Sequence, residues 1–447
     1  MKNNRSITEP IRFVSTRGDA EPCSFSQAMK WGLAPDGGLY LPERYPLLPG
    51  GFWQGVEGFT LQEIAFRIAE PYFASASERK IIREVVDSAI NFDAPLIHLE
   101  DNFYVLELFH GPTLAFKDFG ARFMARAFAS LDTGIDGELT ILVATSGDTG
   151  SAVAHGFHGV PGTNVCLLYP SEKVSPLQEQ QMTTLGRNIT ALEVKGTFDD
   201  CQKLVKQAFS DSGLRSRLNL SSANSINIAR LLPQSFYYVY ALAQLRKQFD
   251  EHADPVFSVP SGNFGNLTAG LIAMKMGMPL SLFLAATNSN DIVPRFLKTG
   301  TFSPQPSVKT LSNAMDVGNP SNFERITTLF GGSLEQMRAH IRGASFNDAQ
   351  TRRCIRDTFS RTGYVLDPHT AVGLLASINF KDEMASDAPV IILSTAHPAK
   401  FGSIVEKEIG RKIPLPDRLK SCLEQEKKSI KISGNYNDFR EFLLKSQ

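Results

Sequence analysis

Leu139-Thr-Ile-Leu-Val-Ala-Thr-Ser-Gly-Asp-Thr-Gly-Ser-Ala-Val-Ala-His155 decides the fold class. Its first six residues form an apolar and β-branched run without the alternation expected of a strand that has one wet face. A continuous apolar strand is one buried on both faces. Thr145–Gly150 then supplies hydroxyls and glycines, and Ser151–His155 starts a run of small residues suited to a helix. The same unit recurs where Pro255-Val-Phe-Ser-Val-Pro260 runs into Ser261-Gly-Asn-Phe-Gly-Asn266 and then Leu267–Met274. Val165–Tyr169 and Ile189–Val194 read as further strands, the latter followed by a helical pattern over Asp199–Phe209. Ala388–Thr395 is a late strand with polar residues at its C-terminal end. Buried strands alternating with helices predict an α/β fold with mainly parallel sheets and helices on both faces. Ligands in such sheets bind beyond the carboxyl ends of the strands, where these polar loops fall.

Working outward, residues 1–95 carry turn signals (Ala34-Pro-Asp-Gly-Gly38, Pro42, Pro46, Pro49-Gly-Gly51) and then helical periodicity from Leu61 to Ala89. They predict a mostly helical N-terminal segment rather than another sheet. The remainder divides into a first α/β lobe over 96–235 and a second over 236–447. The tail from about Leu415, rich in Lys and Glu, predicts a solvated helix.

The chain has 447 residues, 42% of them hydrophobic, enough for two or three domains and a large core. Its 46 basic and 46 acidic residues give no electrostatic reason to expect nucleic acid or an anionic membrane as partner. Cys23, Cys166, Cys201, Cys354 and Cys422 lie far apart without metal-ligand spacing, which fits reduced thiols in a cytoplasmic protein. Residues 1–6 lead into no apolar export signal, and no apolar run is long enough to span a membrane.

Several residues point to chemistry. Lys117 is flanked by Leu114, Ala115, Phe116 and Phe119. Poor solvation of its ammonium would lower its pKa and make the amine a nucleophile and base suited to a Schiff base. In Gly262-Asn-Phe-Gly-Asn266 the glycines let backbone approach an anion at the start of a helix. The spacing matches neither nucleotide-binding glycine motif, which disfavours nucleotide cofactors. Thr145, Ser146 and Thr149 form a second, hydroxyl-rich loop suited to a carboxylate or phosphate. Asp148 in that loop is out of place unless it faces a donor, such as a phenolic or pyridinium group of a cofactor. Asn224, Ser225 and Arg230 could bind a phosphate monoester. His110, His369 and His397 are candidate acid–base groups. Each feature alone also has an ordinary explanation: a snorkelling lysine, a tight turn, a helix cap, a structural ion pair or a hydrogen-bonded histidine. Together, a reactive lysine and several anion sites suggest pyridoxal phosphate chemistry, with no metal.

His110–Gly120, Thr145–Gly150 and Ser261–Asn266 occur with Gly32–Tyr40, Ala314-Met-Asp-Val-Gly-Asn-Pro-Ser-Asn-Phe-Glu-Arg325, Asp367-Pro-His-Thr-Ala-Val-Gly373 and Thr395-Ala-His-Pro-Ala-Lys-Phe401. In content and order they resemble the threonine synthase family, in its longer class from fungi and many bacteria. That family lies within the tryptophan-synthase-β-like (fold type II) pyridoxal phosphate enzymes, and the resemblance covers most of the chain. It implies two open, twisted, mainly parallel sheet lobes with helices on both faces. It further implies Lys117 as the Schiff-base lysine and proton shuttle, Gly262, Asn263, Phe264, Gly265 and Asn266 as the cofactor-phosphate cup, and Thr395 as the partner of the pyridine nitrogen. Asp148 stands near the cofactor's O3′ where many relatives in this fold have asparagine, and this class carries aspartate. The implied substrate is O-phosphohomoserine, its carboxylate held around Thr145, Ser146 and Thr149 and its phosphate by Asn224, Ser225 and Arg230. The implied products are threonine and phosphate, from a monomer or, as the alternative, a dimer. The rival readings are a phospho-lyase releasing 2-oxobutyrate, ammonia and phosphate, and a non-catalytic homologue.

Overall fold

The computed structural model describes residues 11–445 except 74, 133, 135 and 136, and residues 1–6, read above as lacking an export signal, lie outside them. Near the N-terminus, β1 (Phe13–Ser15) and β2 (Tyr40–Pro42) pair as an antiparallel ribbon, a small sheet where none was expected. The turn signals between them close it. The Asp36 carboxylate accepts hydrogen bonds from Ser15 Oγ and Gly38 N, both at 2.8 Å, and from Asp19 N at 3.1 Å. The periodicity over 61–89 becomes helices Leu61–Ala69 and Ala76–Ala89, started by the capping boxes Thr60/Glu63 and Ser75/Glu78. Each such cap contributes about 1 kcal/mol.

The next strands are β3 (Leu96–Glu100), β4 (Phe103–Glu107), β5 (Leu139–Ala144), β6 (Thr163–Pro170), β7 (Ile189–Val194) and β8 (Asn219–Ser222). They are followed by β9 (Val256–Pro260), β10 (Leu282–Thr287), β11 (Ile341–Ser345), β12 (Val390–Ser394) and β13 (Ile430–Ile432). The larger sheet has the order β11-β10-β9-β12-β4-β3, parallel except for the β3–β4 hairpin. The smaller sheet, β13-β7-β6-β5-β8, is parallel throughout. Every residue of β9 and β12 is buried, as their unbroken apolar runs require.

The lobes are not the contiguous segments expected. β3 and β4, placed above in a first lobe over 96–235, join the larger sheet through the register Phe103↔Val390 to Glu107↔Ser394. β13, from the tail, joins the smaller sheet through Ile430↔Leu192. The tail is also more than a solvated helix: helix Asp417–Leu423, β13 and helix Tyr436–Lys445 follow one another, and Phe439 and Leu443 are buried. Edge strands take hydrogen-bonding partners from anywhere in the chain, so a reading by contiguity misplaces them.

β5, β8, β9 and β12 all deliver their C-terminal ends to one cavity of about 1330 Å³ between the sheets.

Candidate active site

Lys117 opens the helix Lys117–Ser130, and the loop before it is tied to the end of β12. Phe116 N donates to the Thr395 carbonyl at 2.9 Å, and Ala115 bridges Ala396. Beneath the loop, buried Asp118 accepts from Thr113 N at 2.8 Å and Thr113 Oγ1 at 2.7 Å. These contacts aim Lys117 into the cavity, where its side chain keeps 14% exposure and Nζ lies 3.6 Å from Asp148 Oδ2. Burial holds the Lys117 pKa below the usual lysine range; Asp148 opposes that shift, and Lys400 and Arg230 add to it.

Asp148 begins the helix Asp148–Phe157 that follows β5. Its Oδ1 accepts from Lys400 Nζ at 2.6 Å and Gln178 Nε2 at 2.9 Å. Burial alone would raise its pKa, but Lys400 and Lys117 outweigh that and hold the carboxyl below the usual range. The donors that Asp148 was expected to need therefore come from the protein itself. Thr145 Oγ1 accepts from Gly147 N at 3.0 Å and Gly150 N at 2.8 Å, so this hydroxyl shapes the loop. Gly147 has φ +144°, and a Cβ there would lie 2.6 Å from the Gln178 side chain. Ser146 and Thr149 line the cavity.

After β9, Phe264 adopts a left-handed φ of 61° and the helix Gly265–Lys275 begins. A Cβ on Gly262 would lie 2.7 Å from both the Ala314 carbonyl oxygen and Met315 Cα, so this turn needs a residue without a side chain. Asn263 bridges two distant segments: its Oδ1 accepts from Ser321 N at 2.6 Å, and its Nδ2 donates to Ser225 Oγ. Asn266 Oδ1 accepts from the hydroxyls of Tyr237 at 2.6 Å and Tyr238 at 2.7 Å, while its buried Nδ2 has no partner among the described residues. Thr395 lines the same cavity from the end of β12.

Asn224 Nδ2 donates to the Ala144 carbonyl at 3.0 Å, and its buried Oδ1 has no partner among the described residues. Arg230, 2% exposed, donates through Nη1 to the Ala223 carbonyl, and its Nε has no partner among the described residues. Among the described residues no carboxylate pairs with it, and burial pushes its pKa down to about 10.

The structure thus brings all fourteen expected site residues to one cavity. A glycine cradle at a helix start, a desolvated lysine and buried donors without partners fit a phosphate-bearing aldehyde cofactor. Residues 90–396 match the family profile described as "Pyridoxal-phosphate dependent enzyme". Residues 12–90 match "Threonine synthase N terminus" and residues 370–443 match "Threonine synthase, C-terminal". The threonine synthase of Haemophilus influenzae is 46% identical over 95% of this chain and 98% of its own. The chain belongs to the threonine synthase family. The crystal structure of threonine synthase from Escherichia coli superposes with a TM-score of 0.91 at 41% identity, covering 98% of this chain and 100% of that one. A pyridoxal-phosphate-bound threonine synthase from Brucella melitensis gives 0.89 at 35% identity, over 97% and 98% of the two chains. The protein is therefore a pyridoxal-phosphate-dependent enzyme of fold type II.

Three residues of this threonine synthase family member escaped the reading of single motifs. Lys400 and Arg325 lie inside stretches that carried the resemblance, yet nothing in their spacing marked them. Fully buried Arg325 donates to the carbonyls of Tyr40 at 3.0 Å and Ile226 at 2.6 Å, and to Asn322 Oδ1 at 2.6 Å. It thereby pins the N-terminal ribbon to the Ser225 loop. Gln178 carried no sequence signal at all. Of the three histidines, His369 lines the cavity; its Nδ1 bonds Asp367 Oδ1 at 2.8 Å, and its Nε2 accepts from Ala314 N at 3.3 Å. It steadies the strap that packs on Gly262. His110 pairs with Glu107, and His397 caps the short helix Pro398–Phe401.

Proposed function

We propose that this enzyme converts O-phosphohomoserine and water to threonine and phosphate. The observation that carries the reading is Arg230, a buried guanidinium that pairs with no carboxylate among the described residues and lies in the cavity that also holds Lys117. Such a cation is costly unless an anion completes it, and a substrate phosphate would do so beside Asn224 and Ser225.

When bound, pyridoxal phosphate supplies a carbonyl for the substrate amine and an electron sink for carbanions at its neighbouring carbons. Gly262, Asn263, Phe264, Gly265 and Asn266, with the helix start behind them, would hold its phosphate. Thr395 would meet the pyridine nitrogen with a hydroxyl, which leaves that nitrogen largely unprotonated. Asp148 would face O3′. Ser146, Thr149 and the backbone amides at the start of the helix Asp148–Phe157 would hold the substrate carboxylate, on a loop that Thr145 keeps in shape. Anchoring both anionic ends orients the Cα–H bond toward Lys117. Lys117 Nζ, whose proton affinity burial lowers, would take that proton and later return one. A single chain can supply the whole site, and we take a monomer as the working unit, with a dimer as the alternative. Five free, buried cysteines suit a reducing cytoplasm. Among the described residues, no helix is long and apolar enough to cross a membrane.

Incubation with O-phosphohomoserine tests the reading. Threonine and phosphate are expected in equal amounts, and Lys117→Ala should yield neither. 2-Oxobutyrate as the main product would instead make the protein a phospho-lyase.

A further inference from the structure

Asp148 is one carboxylate facing two lysines. Lys400 Nζ lies 2.6 Å from its Oδ1, and Lys117 Nζ lies 3.6 Å from its Oδ2. The Lys400 and Asp148 side chains are 0% and 3% exposed, whereas Lys117 keeps 14% toward the cavity. Two ammonium groups against one carboxylate would leave an uncompensated positive charge in a dry site, which is expensive. The hydrogen-bond geometry favours one of them. Lys400 has two acceptors at bonding distance, Asp148 Oδ1 and, at 3.0 Å, the Thr113 carbonyl. Lys117 stands beyond ordinary bonding distance of the same carboxylate.

We propose that Lys400 is a positioning residue: it occupies the charge of Asp148 and so leaves Lys117 as the free amine that the reaction requires. This rests on reading Lys117 as the reacting amine. The charged groups acting on Lys117 are Asp148, Lys400 and Arg230, from three different elements. Burial together with the two cations lowers its proton affinity against Asp148, in the direction this arrangement requires. Asp118, His155, His397 and Cys422 also feel the charge of Lys400, so its removal would touch these titratable groups too. A purely structural role would have Lys400 merely pin the Thr113 carbonyl. That carbonyl also accepts from Gln181 Nε2 at 3.3 Å, so it keeps a donor when Lys400 is removed.

The two roles separate in the full-length, cofactor-free protein. Competitive acetylation of its lysines across neutral to alkaline pH, read by peptide mass spectrometry, gives the midpoint of Lys117 reactivity. In Lys400→Met, Asp148 keeps its Gln178 hydrogen bond and has Lys117 as its ion-pair partner. The midpoint should rise by about one pH unit or more, so labelling at neutral pH slows about tenfold. In Lys400→Met/Asp148→Asn the anion is gone too, and the midpoint should return to or below the wild-type value. An unchanged midpoint in the single variant, or one that stays high in the double variant, overturns the proposal. Should circular dichroism show that Lys400→Met does not fold, Asp148→Asn alone decides. Its midpoint should fall, because the residual pull of Asp148 on a Lys117 proton is lost while the cation of Lys400 stays, and a constant or higher one overturns the proposal. Labelling needs no substrate, so this result and the product assay fail independently.

Discussion

Arg230 and Lys117 are both basic side chains of one cavity, and their surroundings give them opposite tasks. A guanidinium stays charged even where burial lowers its pKa to about 10, so Arg230 can only be completed by an anion. A lysine can shed its proton instead, and burial, aided by Lys400 and Arg230 against Asp148, shifts Lys117 in that direction. Arg230→Ala should therefore weaken the hold on the substrate phosphate. We expect KM for O-phosphohomoserine to rise about tenfold or more and kcat to fall as well, since binding a remote group helps orient the reacting centre. Steady-state kinetics with threonine and phosphate both quantified measures this, and wild-type constants would remove Arg230 from the site. At this scale the sequence was informative wherever a residue type was unusual in its setting. Lys117 among apolar neighbours and Asp148 in a hydroxyl loop both stood out. Lys400 did not, because its meaning is a 2.6 Å contact with a residue 252 positions away.

The strand-to-helix turn is the element that builds this site, and it is used twice, after β5 and after β9. Each turn depends on a glycine that something packs against. At Gly147 the neighbour is the flexible Gln178 side chain; at Gly262 it is the backbone of Ala314 and Met315, which cannot swing away. Gly262→Ala should thus displace the cup or the strap, and we expect the dissociation constant for pyridoxal phosphate to rise at least about tenfold, roughly 1.4 kcal/mol. Fluorescence titration of the cofactor-free protein measures it, with a far-ultraviolet spectrum confirming the fold. Unaltered affinity would mean that the cradle does not need its close approach. Both turns were legible because an apolar run followed by glycines and hydroxyls has few other structural readings. The strap was not legible as part of the site. Ala314–Asn322 meets Gly262, Asn263 and Ser225 from a distant part of the chain, with β10 between, so no local pattern reports the contact.

On the scale of the whole molecule, the chain interleaves its two sheets, and the tail fastens the smaller one. β13 covers the β7 edge, and Phe439 and Leu443 enter the cluster that contains Leu204, Val205 and Ala208. Each fully buried side chain of this kind is worth about 1.5–3 kcal/mol. Truncation after Gln425 should lower the melting temperature by several degrees and, by opening a parallel strand edge, promote aggregation. Thermal unfolding with light scattering measures both, and a truncated chain that melts like the full one would show the tail to be dispensable. By itself the sequence determined the α/β class, the central strands and the loops at their ends, because apolar runs and turn chemistry are local properties governed by solvation and backbone sterics. Tertiary structure alone decided which sheet β3, β4 and β13 join, that Arg325 ties the N-terminal ribbon to the Ser225 loop, and that Asp148 meets Lys400 as well as Lys117. Those outcomes depend on edge pairing and charge compensation between segments far apart in the chain, and neither leaves a periodic trace in the residues that take part.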